Sequence, residues 1–179
     1  MSLHAVGELI GCVAVLFSLA TYQINNRRIL LLVSTVSALL YSVAFCLLHA
    51  YTGSALNFLA AIRCYVFSLN VTKRDSSRTF LAFGAASLVA TWLTWGGFLS
   101  LLALAGTLLY AFSESQIPTK SLRRTGLLAS PIWFFYNLFT GFYPGMFVEV
   151  FMLISNIVGQ YRFDFRQKVS AEKSRVTSQ

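Results

Sequence analysis

Charge is what this sequence is shortest of. Asp, Glu, Lys and Arg make up 11% of its 179 residues, while 56% are hydrophobic and the mean hydropathy is +0.67; a soluble domain carries about 25% charged residues. That shortage excludes a soluble globule. Acidic residues are the scarcest, six against 14 Lys and Arg, which leaves a net charge of +8. The cations cluster in short loops between apolar runs, where they read as topology signals, and no nucleic-acid partner is expected. Cysteine is equally thin. Cys12, Cys46 and Cys64 lie inside apolar runs with no CxxC or Cys/His spacing, and are read as small buried side chains. No Gly-rich phosphate loop, Ser/His or Cys/His pair, or paired Asp constellation occurs within the runs, so neither enzyme chemistry nor a cofactor is expected. The last run has no Lys, which argues against a retinal protein. His4 and His49 are the only histidines and sit at one boundary of the runs; no metal site is expected of them. No positive charge precedes the first run, and Arg27 and Arg28 follow it, the reverse of a secretory leader, so it reads as a first span that stays.

A spanning helix takes about 20 residues, so this length holds at most about seven or eight spans. All 14 Lys and Arg except Arg63 fall into four groups: Arg27 and Arg28; Lys73, Arg74 and Arg78; Lys120, Arg123 and Arg124; and Arg162, Arg166, Lys168, Lys173 and Arg175. If such loops stay cytoplasmic, each stretch between groups crosses an even number of times. Each is interrupted once by a turn signal without Lys, Arg, Asp or Glu: His49 to Gly53, Trp95 to Gly97, and Gly141 to Gly145. The expected fold is therefore all-α and polytopic, with seven transmembrane helices over roughly 5–23, 29–48, 53–70, 79–95, 97–112, 125–141 and 145–161. The N-terminus is outside and the C-terminus cytoplasmic. Residues 1–163 form one membrane domain, and 164–179 a basic tail suited to anionic lipid at the cytoplasmic face. Asn70-Val71-Thr72 matches a glycosylation acceptor but lies on the cytoplasmic side and is set aside. Trp92, Trp95, Tyr51, Phe142 and Tyr143 gather at the outer helix ends as an aromatic belt.

A sparse internal repeat supports this plan. A shift of 93 places Leu16 on Leu109, Gln23-Ile24 on Gln116-Ile117 and Ser37 on Ser130; a shift of 92 places Gly53 on Gly145, Asn57 on Glu149 and Ile62 on Ile154. Both copies are three helices that start outside and end inside. An odd number per copy, joined by one helix, makes the repeats parallel: repeat one at 5–70, a linker helix at 79–95, repeat two at 97–161. This three-plus-one-plus-three plan, with Gln23 and Gln116 at equivalent helix ends, resembles the SWEET and PQ-loop transporters. A closer resemblance is to the YgjV-type bacterial inner-membrane proteins. It is carried by Gly53, Leu56-Asn57 and Ala60-Ala61-Ile62-Arg63, and by Trp133, Tyr136-Asn137, Gly141, Gly145, Glu149, Asn156 and Arg162-Phe163. What it implies is a bacterial inner-membrane location, with no biochemical activity attached.

Arg63 is the lone cation inside a span. A central Arg costs about 2.5 to 3.5 kcal/mol on insertion scales, so it should face the bundle interior with a partner. Glu149 is the expected partner, although the two Cα atoms differ in depth by about 9 Å at 1.5 Å per residue. Glu149, Asn156 and Gln160 recur on one face of the seventh helix. Ser130, Trp133 and Asn137 do so on the sixth, beside Pro131, which is read as a kink or weak point in that span. Asn57 lies at a similar depth. Two readings stand side by side. In one, Asn57, Arg63, Trp133, Asn137, Glu149 and Asn156 line a path for a small polar solute or ion: the Asn side chains hydrogen-bond it, Trp133 stacks, Glu149 accepts a proton, and Arg63 pairs Glu149 or meets an anion. In the other, the protein is a non-transporting scaffold or accessory subunit whose polar groups hold helices together.

Overall fold

The computed structural model describes residues 3–21, 23–69 and 72–165. They form eight α-helices: α1 Leu3–Thr21, α2 Arg27–Leu47, α3 Tyr51–Leu69, α4 Lys73–Leu93, α5 Phe98–Ser115, α6 Thr119–Gly126, α7 Ser130–Phe139 and α8 Tyr143–Gly159. A π-helical turn, Gln160–Phe165, continues α8. Asn70, Val71 and most of the basic tail lie outside the described residues, as does the side chain of His4.

The apolar runs form the helices and short polar segments start them. The Asn26 side chain accepts hydrogen bonds from the Arg28 and Ile29 amides, 3.0 and 3.2 Å, and so caps α2. Thr72 does the same for α4, accepting from the Asp75 amide at 3.2 Å. That cap moves the start of α4 back to Lys73, so Lys73, Arg74 and Arg78 stand on its first turns rather than in a loop. Another departure concerns the sixth apolar run. It forms α7 over Ser130–Phe139 alone rather than one helix over 125–141, and a separate short helix, α6, forms ahead of it over the basic segment Thr119–Gly126, with 127–129 between them. Pro131 lies in the first turn of α7; its ring cannot donate to the carbonyl four residues back and clashes with it, so the helix stops and restarts. What reads as a kink in the sequence is a chain break in the helix.

Among the described residues three helices are long and apolar enough to cross a membrane, α2, α3 and α5, and Ala5–Thr21 is a shorter apolar helix. A 21-residue helix such as α2 measures about 31 Å at 1.5 Å per residue, the thickness of a bilayer core. The charged first turns of α4 and the division of the sixth run keep those segments short of the same standard.

The order of packing organises the site. Helix α2 lies between α1 and α3; α7 lies between α5 and α8; α3 packs on α5, and α1 on α8. These contacts close a ring of six helices, α1–α2–α3–α5–α7–α8. Helix α4 stands outside the ring against α3 and α5.

Polar side chains share the interior equally with apolar ones, and large apolar side chains cover the outside. Among the described residues, 18 polar or charged side chains are buried, as many as hydrophobic ones, while Leu16, Leu81, Trp92, Phe135, Phe147 and many other large apolar side chains are exposed. A water-soluble protein has the opposite arrangement, and an apolar perimeter of this extent is a lipid-facing surface. Small hydroxyl residues join the helices: the Ser18 and Ser37 hydroxyls meet at 2.6 Å between α1 and α2, and Ser42 and Ser54 each donate to the other's carbonyl, 3.0 and 2.8 Å, between α2 and α3. Two expectations change on this surface. Cys12 and Cys46 are exposed and only Cys64 is buried; thiols are apolar enough to face lipid. Of the aromatic belt, Tyr51, Trp92, Trp95 and Tyr143 are exposed, but Phe142 is buried and packs edge-on against Phe45, centroids 5.0 Å apart.

Candidate functional site

At the centre of the ring lies a cavity with about 120 Å³ open to the centres of water molecules. Every ring helix contributes to its wall: Ser18 and Thr21 from α1, Ser37 and Tyr41 from α2, Asn57 and Arg63 from α3, Tyr110 and Glu114 from α5, Trp133 and Asn137 from α7, Glu149 from α8. Helix α4 contributes none. Five of the six residues expected at a site, Asn57, Arg63, Trp133, Asn137 and Glu149, thus line one space.

Glycines make the room. A Cβ on Gly106 of α5 would lie 2.7 Å from Trp133 Nε1, and one on Gly145 of α8 would lie 2.7 Å from Asn137 Cγ and 2.4 Å from Phe142 Cδ1. Both side chains of α7 therefore seat against bare backbone, the close approach that small residues permit between membrane helices. Trp133 is further packed by Phe45 and Tyr136, centroids 6.2 and 5.2 Å away.

The partner of Arg63 is Glu114, not Glu149. Nε and Nη2 of Arg63 donate to Oε2 and Oε1 of Glu114 at 2.8 and 3.3 Å, and Arg63 is 1% exposed. Glu114 is available because α5 runs to Ser115, three residues beyond its expected end. Glu149 sits elsewhere on the wall, where its Oε2 accepts from the Tyr110 hydroxyl at 3.3 Å, and that hydroxyl meets Ser130 Oγ at 3.2 Å. Among the described residues no Lys, Arg or His pairs with Glu149. Three buried atoms on the wall find no hydrogen-bond partner among the described residues: the donors Arg63 Nη1 and Trp133 Nε1, and the acceptor Asn137 Oδ1. Asn57 donates to the Gly53 carbonyl of its own helix, 2.9 Å.

Asn156 is not on the cavity wall. It is buried at the basic end, where its Nδ2 donates to the Arg123 carbonyl at 2.8 Å. That carbonyl belongs to the last turn of α6, whose carbonyls lack partners within the helix. The same end holds two arginines that charge counting treats only as topology markers. Arg27, on the first turn of α2, donates to the carbonyls of Phe67, Glu114 and Gln116 at 2.8, 2.9 and 3.1 Å, gathering the ends of α3 and α5. Arg123 of α6, fully buried, donates to the Ile24 carbonyl and Asn25 Oδ1 at 3.2 and 3.3 Å, beyond the end of α1. Cations suit helix C-termini, which carry partial negative charge. Each of the two arginines ties the α1–α3 part of the ring to the α5–α8 part. Gln23 adds to this layer: its Nε2 donates to the Ser155 carbonyl and hydroxyl at 3.1 and 2.9 Å, tying α1 to α8.

A family model, Imp-YgjV, described as a bacterial inner membrane protein, matches residues 5–167. No curated protein and no solved structure matches the chain.

Proposed function

The chain belongs to the Imp-YgjV family of bacterial inner membrane proteins, and from that premise we propose that it moves a small polar solute or ion across the inner membrane by alternating exposure of the central cavity. In this mechanism the chain crosses seven times, α6 and α7 together making one crossing, as a SWEET-like parallel repeat of α1–α3 and α5–α8 joined by α4. The basic ends face the cytoplasm, by the bias of Lys and Arg toward that side, and anionic lipid contacts them there.

The observation that carries the proposal is the set of unpartnered atoms on the wall. Buried polar groups that serve only structure are hydrogen-bonded, whereas Arg63 Nη1, Trp133 Nε1 and Asn137 Oδ1 stand without partners among the described residues, on side chains lining a space that admits water. Donors and acceptors of both kinds suit a polar passenger. Arg27 and Arg123 hold the two groups of helices together at the basic end; parting them opens the cavity on that side, and closing them while the opposite ends separate opens it on the other.

A scaffold without transport is the second reading. It draws on the Arg63–Glu114 pair and the Asn156–Arg123 bond, each of which joins helices with no passenger required. Flux separates the two. Purified protein in proteoliposomes is tested for osmotic swelling and uptake with neutral, anionic and cationic small solutes, alongside Ala60→Phe, which fills the cavity from α3. A carrier gives solute-dependent flux that Ala60→Phe abolishes while the protein stays folded. Absence of flux for every solute, or flux indifferent to Ala60→Phe, overturns the carrier.

A further inference from the structure

Taking the cavity as a solute site, we infer that its passenger bears an ammonium group, held where Glu149, Asn137 and Trp133 meet. Charge on the wall comes from Arg63, Glu114 and Glu149. Arg63 and Glu114 neutralise one another at 2.8 Å. Glu149 is left as a 7% exposed carboxyl group whose contacts are the hydroxyls of Tyr110, at 3.3 Å, and Ser130, with no cation of the described chain beside it. A buried carboxyl without a compensating positive charge takes up a proton rather than remain charged, so its ionised form at this part of the wall is one that a cation must accompany.

The second observation is Asn137 Oδ1, an acceptor on a side chain 3% exposed that no donor among the described residues reaches. Its amide packs against Gly145, where a Cβ would come within 2.7 Å. Gly145 lies one helical turn before Glu149 on the same face of α8, so the Asn137 amide packs on the turn that precedes Glu149. A single –NH3+ donates in three directions and can address both. The third observation is aromatic. Trp133 stands one turn before Asn137 on α7, and Tyr41 and Phe45 line the same cavity. Aromatic faces within about 6 Å attract organic cations, Trp most strongly, while a hydrated metal ion gains little from apolar ring walls. The volume admits at least about four waters at about 30 Å³ each, which is room enough for a small amine.

Ethanolammonium, ethylene glycol and glycolate share one shape and differ in charge, and serve as probes. Each is added at equal ionic strength, balanced with sodium chloride, to the purified full-length protein in detergent, and the melting temperature is followed, since a ligand of the folded state raises it. Ethanolammonium is expected to raise it in the native protein by several degrees more than the other two. Glu149→Gln, which keeps the shape and loses the charge, is expected to weaken that response at least tenfold in midpoint concentration, and Asn137→Leu to do likewise should Glu149→Gln fail to fold. Overturning results are a shift produced by sodium alone that depends on Glu149, or an ethanolammonium shift retained in both variants. If glycolate or ethylene glycol stabilises instead and Ala60→Phe removes the effect, the amine is refuted while the cavity remains a solute site; if none of the probes acts and proteoliposomes show no flux, both fall.

Discussion

The Arg63–Glu114 pair lends itself to a quantitative test. Arg63 is 1% exposed and Glu114 12%, with two N–H···O contacts at 2.8 and 3.3 Å. Glu114→Leu leaves a guanidinium in the interior with no opposite charge, a change that costs about 3 to 5 kcal/mol when one partner of a buried pair is removed. Arg63→Met leaves the less buried carboxylate behind and costs about 1 to 3 kcal/mol, the range for a stranded polar group. Replacing both by apolar residues of similar volume removes both charges, and Arg63→Met with Glu114→Leu should lie within about 1 kcal/mol of the native protein. The cycle then closes with a coupling energy of about 3 kcal/mol or more, at the upper end for neighbouring residues. Unfolding in mixed micelles, followed by the fluorescence of the three Trp residues, measures all four proteins. Arg63→Met with Glu149→Leu should show simple additivity. Additive costs in the first cycle, or rescue of Arg63→Met by Glu149→Leu alone, would refute the pairing.

Packing at the glycines gives opposite outcomes at two sites. Gly145→Ala forces its methyl to within 2.4 Å of Phe142 Cδ1 and should destabilise by about 1 to 3 kcal/mol, whereas Gly84→Ala, where the nearest atom is Leu108 Cδ2 at 3.7 Å, should be neutral or stabilise by about 0.5 to 1 kcal/mol; thermal melts of both, in one detergent, decide it. Asn156→Leu removes the donor to the Arg123 carbonyl and should cost about 1 to 3 kcal/mol in the same assay while leaving solute flux per folded molecule unchanged, because Asn156 lies off the cavity wall; a selective loss of flux would contradict that placement.

Much of the site can be read in the sequence because membrane insertion penalises polar residues so strongly. Arg63 stands out as the lone cation in an apolar run, and it is buried. Asn57, Trp133, Asn137 and Glu149 occupy helix faces whose spacing brings them to one cavity. Asn156 shares a face with Glu149, but seven residues add about 10 Å of depth, and helical periodicity gives direction around the axis without saying which layer of the bundle is met. The partner of Arg63 is missed for a related reason. Glu114 falls beyond the apolar run, and only the extension of α5 to Ser115 carries it into the interior. Arg27 and Arg123 are hidden by their neighbours: within clusters of cations each looks like a loop charge, and nothing local shows that carbonyl ends of other helices converge on them. The division of α6 from α7 is legible at Pro131, once its effect on the preceding turn is taken as a break instead of a bend.

Water access to the space between the two groups of helices is the claim on which transport depends. With Cys12, Cys46 and Cys64 replaced by Ala, single cysteines at Asn57 and Thr107 on the cavity wall, and at Ala103, which is fully buried and off it, are exposed to a charged, membrane-impermeant thiol reagent in inverted and right-side-out vesicles. Cysteines at 57 and 107 should react from at least one side while that at 103 stays unmodified. Equal protection of all three positions from both sides would mean a dry, closed core and would contradict a solute path through this protein.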